Sequence, residues 1–194
     1  VVITTDLINI GLSQLAEIRT RVQNELKING NNVMINASHN HWTNDQLAED
    51  YVERIIKGVK EAQQKMVPVK VGGGTGVEKR ITMNRRLLLA NGKEWTIRRA
   101  TPEPQDNMVK GIAEGFDPEI GILRIDRTDG KPLAVLFTFA GHNYTGVPNR
   151  GATAGFPGFA SKTIEENLGS GAVALFMQGA AGDVTPILYK DVNA

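Results

Sequence analysis

The chain has 194 residues, of which 41% are hydrophobic and 22% are charged, and its formal net charge is +1. This composition is typical of a globular protein with a sizeable core, and it excludes disordered and collagen-like chains. A net charge so close to zero gives no reason to expect nucleic acid as a partner. No apolar run approaches the roughly 20 residues that cross a bilayer. The absence of cysteine excludes disulfides, thiolate catalysis and cysteine-bound zinc.

The first third of the chain predicts two strands, each followed by a helix. Residues 1–5 are typical of a buried strand, and the next helix is expected to begin with Ser13 as its N-cap and to end at Gly30. Its buried positions follow helical spacing: Leu15, Ile18, Val22 and Leu26. A second strand is predicted over residues 33–38, and the capping-box pattern of residues 43–46 predicts the start of a second helix. The buried stripe expected on that helix is Leu47, Tyr51, Ile55, Val59 and Ala62.

The middle of the chain predicts a third strand and a hairpin. Valines alternate over residues 67–71, and the glycine-rich residues 72–76 that follow are expected to form a loop. The spacing of these glycines fits neither the Walker nor the dinucleotide-binding pattern. The turn signal Asn91-Gly92 joins predicted strands over residues 81–89 and 94–98. The arginines of this hairpin are expected on a solvated face: Arg85, Arg86, Arg98 and Arg99.

The last part of the chain predicts a connector, a second hairpin, a helix and a final strand. Residues 100–118 contain three prolines and are expected to be irregular. Asp129-Gly130 separates strands predicted over residues 120–125 and 132–140. The apolar spacing of residues 156–168 predicts a third helix that ends at Gly169, and residues 172–177 follow as a core strand.

This order of elements predicts one α/β domain over residues 1–194, with a mixed β-sheet core and flanking helices. In such folds ligands bind beyond the carboxyl ends of strands, so an active site is expected there. Because the chain opens within a strand and has no initiator Met, we expect it to be a truncated piece of a longer protein.

The three histidines of the chain all stand at the ends of predicted strands. His39 and His41 follow the second strand, where alternation would point them the same way, and His142 follows the second hairpin. Neutral imidazole is a common zinc ligand, so the pattern predicts a metal site, although half-exposed histidines without a ligand are a competing interpretation. Asp183 is a further ligand candidate by position alone, and a role in its own turn explains it equally well.

Four segments, in the right order, resemble the N-terminal domain of the neutral/alkaline (non-lysosomal) ceramidases. Ser38-His39-Asn40-His41 is similar to the Thr-His-Thr-His segment of that family, and Asn84-Arg85-Arg86 is similar to its Asn-Arg-Ser segment. Phe139-Ala140-Gly141-His142 is similar to the strand that ends in its second zinc-binding histidine. Gly182-Asp183-Val184-Thr185-Pro186 is similar to its Gly-Asp-Val-Ser-Pro nucleophile loop. The resemblance covers nearly the whole chain.

The resemblance implies a zinc-dependent hydrolase that cleaves an amide (N-acyl) bond in a lipid or related small-molecule substrate. It implies His39 and His142 as zinc ligands and His41 as a contact to the reacting group. It also implies Arg85 as an active-site arginine and Thr185 as the nucleophile, whose hydroxyl a zinc-bound water helps to deprotonate in the family. A secreted or periplasmic location is favoured by the resemblance alone.

Three departures from the family pattern leave other functions open. Thr185 replaces a serine, and because its methyl group crowds attack on a bulky amide, direct attack by zinc-bound hydroxide is an alternative. Trp42 replaces a small Ser-Gly-Pro segment, which implies a different substrate mouth. The remaining zinc ligands of the family, a glutamate and a tyrosine, are expected beyond residue 194. The competing functions are a non-catalytic or metal-binding domain that keeps the fold, and a metal-free hydrolase that uses Thr185 with a histidine base.

Overall fold

The structure is a computed structural model that describes residues 1–43, 47–97, 104–113, 115–144 and 151–187. Within these ranges it has the predicted mixture of helices and strands. In chain order the elements are β1 Val2–Thr5, α1 Leu12–Leu26, β2 Met34–Ala37, α2 Tyr51–Gln64, β3 Val69–Val77, β4 Thr82–Asn84, β5 Arg86–Leu89, β6 Glu94–Thr96, β7 Val109–Ile112, β8 Glu119–Arg127, β9 Pro132–Phe139, α3 Gly155–Leu168, β10 Val173–Gln178 and β11 Val184–Pro186. None of the described helices is both long and apolar enough to cross a membrane.

The largest sheet has four strands in the order β10-β9-β8-β3. Strands β9 and β10 are parallel, whereas the other two pairs of this sheet are antiparallel. Strands β1 and β2 form a separate parallel pair. Strand β4 pairs with β11, and β5 lies between β6 and β7. The predicted α/β class with a mixed sheet is therefore confirmed, and the strands of the described part are divided among four sheets.

Two apolar clusters hold the helices against the strands. Helices α1 and α2 meet in a cluster that also contains a residue preceding β2: Ile18, Val22, Leu26, Val33, Val52, Ile56 and Val59. Helix α3 packs on the four-stranded sheet, where Phe156 and Ile164 lie against a cluster that includes Phe137 and Phe176. Burial of these side chains, worth about 1.5–3 kcal/mol each, is the main stabilisation of both layers.

The strand ends that carry the predicted site meet at one edge of the fold. The side chain of Asn36 on β2 donates to the carbonyl of Gln178 at the end of β10 (3.2 Å) and accepts from its amide (2.7 Å). Beyond β2 and β9, Asn40 and Asn143 form an isolated parallel bridge. The amide of His41 donates to the carbonyl of Asn143 (3.2 Å). The segments that carry all three histidines therefore lie side by side.

The predicted limits of the first strand and helix are partly wrong. The first strand is not buried, since Val2 on β1 is 41% exposed. Helix α1 begins after Gly11, so Ser13 lies inside its first turn and is not the N-cap. The helix ends at Leu26, and its C-cap residue Lys27 takes the left-handed conformation (φ 60°) that was expected of Gly30. This conformation strains the backbone of a lysine, and Nζ of Lys27 donates a hydrogen bond to the carbonyl of Asn24 (2.8 Å).

The second helix begins later than predicted, and its predicted stripe is partly correct, since Val59 is buried and Tyr51 and Ile55 pack half-buried against the same cluster. Helix α2 starts at Tyr51, so the pattern of residues 43–46 does not begin it, and residues 44–46 lie outside the described ranges. Its buried side chains are Val52, Ile56 and Val59. Ala62 and Leu47 of the predicted stripe are exposed. Two adjacent apolar rows fit the helical period equally well here, and packing against α1 selects the row of Ile56.

Two segments predicted to be irregular are strands. The glycine-rich residues 72–76 belong to β3, whose backbone pairs along β8, so the predicted loop is wrong. Within the predicted connector, residues 109–112 form β7, which pairs with β5. Cross-strand hydrogen bonding overrides weak local propensity in both places. Both hairpins are confirmed, with Gly92 (φ 78°) and Gly130 (φ 88°) in the turns, and α3 ends at Gly169 as predicted.

Candidate metal centre

His39 has a left-handed backbone conformation just after β2. Its φ is 54°, which costs a residue other than glycine about 1–3 kcal/mol. Because β2 ends at Ala37, the alternation of a strand does not explain why His39 and His41 point the same way. The turn at His39 accounts for it instead, and the Nε2 atoms of the two rings lie 3.3 Å apart. The predicted pairing is therefore correct, although its predicted cause is wrong.

The three histidines form one cluster. Nε2 of His39 lies 3.0 Å from Nε2 of His142, and one ligating atom from each histidine lies within 4.8 Å of the other two. In the part of the chain that the structure describes, this is the one group of three or more His, Asp or Glu side chains close enough to share a metal ion. Asp183 is not a member, and its backbone carbonyl accepts from the amide of Arg85 (2.7 Å).

Backbone carbonyls fix the tautomer of two of the rings. Nδ1 of His39 lies 3.0 Å from the carbonyl oxygen of Ile8, and Nδ1 of His142 lies 2.6 Å from that of Ala181. Since a carbonyl can only accept, each Nδ1 carries the proton, and Nε2 of the neutral ring keeps a bare lone pair. Metal-binding histidines are oriented in this way, with the other ring N–H donated to a carbonyl or carboxylate.

The lone pairs of His39 and His142 face each other across 3.0 Å, which is unfavourable unless a cation lies between them. A proton on Nε2 of His142 is disfavoured. Burial, with the charges of Arg85 and the other histidines, lowers the pKa of His142 to about 4 against the opposing bond to Ala181. Burial, followed by the charges of His39 and Arg85, lowers the pKa of His41 to about 4. The donor set therefore fits a divalent metal near neutral pH.

The spacing of the nitrogens also fits zinc. Two nitrogens bound at about 2.0–2.1 Å in a tetrahedral site lie roughly 3.4 Å apart. The observed separations from Nε2 of His39 are 3.0 and 3.3 Å. Zinc binding would require these nitrogens to separate by a few tenths of an ångström, with no change of tautomer at His39 or His142, because both Nδ1–H groups already point at carbonyls.

Arg85 is a buried cation close to the histidines. It is 7% exposed, so the predicted solvated position is wrong for Arg85. It is correct for Arg86, which pairs with Glu94 (3.0 Å), and Arg98 and Arg99 lie outside the described residues. One guanidinium nitrogen of Arg85 donates to the carbonyl of Gly182, and its buried Nε has no hydrogen-bond partner in the described ranges.

The burial of Arg85 is costly unless a ligand compensates for it. Among the described residues it forms no ion pair. An uncompensated buried charge destabilises a protein by several kcal/mol. The guanidinium is therefore available to a carbonyl, carboxylate or oxyanion brought to the histidines.

Thr185 lies on β11, opposite Met83 of β4, and is 1% exposed. Its Oγ1 is enclosed and has no hydrogen-bond partner among the described residues. The preceding residue, Val184, accepts a backbone bond from the amide of His142 (3.3 Å), which attaches this loop to the histidine cluster. The bond from a hydroxyl to a histidine base that a metal-free hydrolase requires is absent from the described part of the chain.

Two buried asparagines that sequence reasoning missed hold the histidine segments together. Asn40 and Asn143 are both fully buried. Nδ2 of Asn40 donates to Asp6 (3.0 Å) and to the carbonyl of Thr153 (2.6 Å), and Nδ2 of Asn143 donates to the carbonyl of Ala154 (3.1 Å). The signal that could have found them is a repeated dipeptide, since each asparagine directly follows a histidine of the cluster.

Gly155→Ala is expected to lower the free energy of unfolding by roughly 2–5 kcal/mol. Gly155 has φ 60°, and an added Cβ would lie 1.9 Å from Oδ1 of Asn143, which is too buried to move aside. Urea unfolding measures the loss. Gly169→Ala is the control, because Gly169 also has a positive φ (62°) but open space around its Cβ position, so only the backbone cost of about 1–3 kcal/mol applies. Equal losses in the two variants would contradict the steric argument.

Comparison with known proteins identifies the fold. No protein-family profile and no curated protein matches the chain. Four chains of solved structures do match, among them the following two. Neutral ceramidase from Pseudomonas aeruginosa aligns with a TM-score of 0.73 and 22% identity, over 95% of this chain and 31% of its own. A ceramidase complexed with C2 aligns with a TM-score of 0.73 and 22% identity, over 96% of this chain and 30% of its own.

The chain has the fold of neutral ceramidase. It spans less than a third of the length of either neighbour. At 22% identity the likeness establishes the fold alone, and at that level it confirms the resemblance found in the four sequence motifs.

Proposed function

We propose that this protein is a zinc-dependent hydrolase of the neutral ceramidase fold that cleaves an amide (N-acyl) bond in a lipid or related small-molecule substrate. The observation that carries the proposal is the convergence of three imidazole Nε2 atoms, two of which have their protons held on Nδ1 by carbonyls. The ceramidase fold supports the choice of reaction class.

His39 and His142 are proposed as zinc ligands, and His41 as a third ligand or as the contact to the reacting group. A bound zinc ion supplies Lewis-acid polarisation of the amide carbonyl. The carbonyls of Ile8 and Ala181 keep the ligating nitrogens unprotonated and fix the planes of their rings. The protein thus prepares the site before any metal or substrate arrives.

Arg85 and Thr185 are proposed to act on the substrate. The guanidinium of Arg85 stabilises negative charge on the carbonyl oxygen as it develops. Oγ1 of Thr185 attacks the carbonyl carbon, the C–N bond breaks, and the amine leaves with the proton of the hydroxyl. Water then hydrolyses the resulting ester and restores Thr185. Because Oγ1 has no hydrogen-bond partner among the described residues, no bond to them must break before the attack.

A second function, metal binding without turnover, is favoured by the enclosure of Thr185. Its side chain is 1% exposed, so a substrate must displace neighbouring groups to reach the hydroxyl. If substrate does not reach Thr185, hydrolysis would require water as the nucleophile, and without that reaction the site would bind metal only.

The proposal is tested by measuring hydrolysis of fluorogenic N-acyl amides and matched esters by the zinc-loaded protein, with and without a chelator. Turnover that the chelator removes and added zinc restores is the expected result. Zinc bound without turnover of any substrate would favour the second function. Turnover that survives complete removal of the metal would contradict the zinc mechanism.

Arg85→Met is expected to lower kcat/KM by roughly 10²- to 10³-fold, because it removes a donor aimed at the developing oxyanion. The free energy of unfolding is expected to stay the same or to rise, since an apolar side chain relieves an unpaired buried charge. Steady-state kinetics and urea unfolding measure the two effects. Arg86→Met is the control, because Arg86 is exposed and paired only with Glu94. Marked destabilisation with full activity of the folded fraction would assign Arg85 a structural role.

A further inference from the structure

Tyr144 lies flat against two of the three histidine rings. Its ring centroid is 4.6 Å from that of His142 with an interplanar angle of 10°, and 4.2 Å from that of His41 with an angle of 30°. The backbone amide of Tyr144 donates to the carbonyl of His142 (3.0 Å), so the tyrosine is fixed close to the ligand that precedes it by two residues. One half-buried phenol ring therefore contacts two members of the cluster.

Within the described ranges, no backbone carbonyl orients the His41 ring as carbonyls orient the other two rings. His39 and His142 each donate Nδ1–H to a carbonyl, whereas the one hydrogen-bonding contact of the His41 ring among the described residues is from Nε2 to His39. Since no described residue accepts a hydrogen bond from Nδ1 of His41, packing is what limits rotation about the Cβ–Cγ bond in this part of the structure. Stacking against Tyr144 supplies that packing.

Trp42 holds Tyr144 in place. Its indole Nε1–H donates to the carbonyl of Tyr144 (2.7 Å). The backbone of Trp42 is anchored in turn, because its amide donates to Oδ1 of Asn40 (2.8 Å) and its carbonyl accepts from Thr153 (3.1 Å). Trp42 thus connects the buried Asn40 to the backbone of Tyr144, in the position where a substrate-mouth difference was predicted.

We propose that Tyr144 is a positioning residue that fixes the plane of the His41 ring, and that Trp42 fixes Tyr144. The role of His41 in a metal centre rests on the proposed function, but the stacked geometry exists without a metal. Tyr144 thereby orients the ring of His41, as the carbonyls of Ile8 and Ala181 orient the rings of the other two histidines. An outer partner of this kind typically changes metal affinity by 10- to 100-fold when it is removed.

The test compares Tyr144→Leu, Tyr144→Phe and Trp42→Phe with the wild-type protein. Nuclear magnetic resonance of the metal-free protein with labelled histidine reports the shielding of the ring protons that lie over the phenol face. Tyr144→Leu is expected to abolish this shielding at His41 and to raise the Kd for Zn²⁺ by 10- to 100-fold. Tyr144→Phe keeps the ring and is expected to restore both values. Trp42→Phe is expected to give an intermediate result, because the ring remains but its tether is lost.

The two readouts separate this inference from the proposed function. An unshielded His41 ring in the folded wild type would overturn the positioning role, whether or not zinc binds. Unchanged zinc affinity in Tyr144→Leu would also overturn it. Failure of the wild type to bind zinc would count against the proposed function. The shielding of His41 in Tyr144→Phe and Trp42→Phe would still decide whether Tyr144 positions His41. The two phenylalanine variants also decide it where Tyr144→Leu does not fold.

Discussion

His142→Ala is expected to raise the Kd for Zn²⁺ by roughly 10²- to 10³-fold. Binding at a protein zinc site is worth about 10–16 kcal/mol, so one of about four ligands contributes roughly 3–4 kcal/mol. His142 is 4% exposed, and its ring is already oriented by the carbonyl of Ala181, so no other side chain can take its position without rearrangement. Competition with a chromophoric chelator measures the dissociation constant.

The control for this prediction is Asp129→Asn, which removes an exposed carboxylate in the turn between β8 and β9. Carboxylates on the surface can bind metal weakly, and this variant is expected to leave the Kd unchanged. Circular dichroism establishes whether each variant is folded. Wild-type zinc affinity in folded His142→Ala would remove the histidine cluster from the metal centre.

Thr185→Val is expected to reduce kcat by roughly 10⁴-fold or more, as loss of a nucleophile does in other covalent hydrolases. The same substitution is expected to keep or increase the free energy of unfolding. The buried Oγ1 has no partner among the described residues, and replacing an unsatisfied hydroxyl with a methyl group of the same shape removes a desolvation cost of about 1–3 kcal/mol. Zinc affinity should not change. Loss of kcat together with an unchanged or increased free energy of unfolding would indicate that Thr185 acts in the reaction and does not stabilise the fold.

Thr163→Val is the matched control for Thr185→Val. Thr163 lies on α3, where its hydroxyl donates to the carbonyl of Phe159 (2.9 Å), and it is expected to leave activity unchanged. Thr185→Ser is expected to retain turnover, because it keeps the hydroxyl and removes the methyl group that crowds the attack. Full activity in Thr185→Val would instead assign the attack to water and leave Thr185 outside the chemistry.

The sequence predicted the strand ends at which the site forms because polar residues that follow apolar runs are a local signal. His39 and His142 come after such runs in β2 and β9, and both strands end beside β10, through the bonds of Asn36 to Gln178 and the parallel pairing of β9 with β10. The hairpins were predictable for the same reason, since the turns at Gly92 and Gly130 need a positive φ that favours glycine.

The sequence could not predict features that depend on distant partners. The burial of Arg85 follows from the pairing of β4 with β11, a contact between segments about a hundred residues apart. The burial of Ile56 and not Ala62 depends on α1, and β3 keeps its glycines extended only because β8 lies beside it. The tautomers of His39 and His142 depend on the carbonyls of Ile8 and Ala181, which carry no sequence signal.

We propose that the histidine cluster binds one zinc ion through the imidazole nitrogens of His39 and His142, with or without that of His41. X-ray absorption at the zinc edge of the protein loaded with one equivalent of zinc tests it most directly. The account predicts a shell that contains two or three imidazole nitrogens at about 2.0–2.1 Å and loses imidazole scattering in His142→Ala. A shell of oxygen atoms alone, or the same imidazole scattering in His142→Ala, would contradict it.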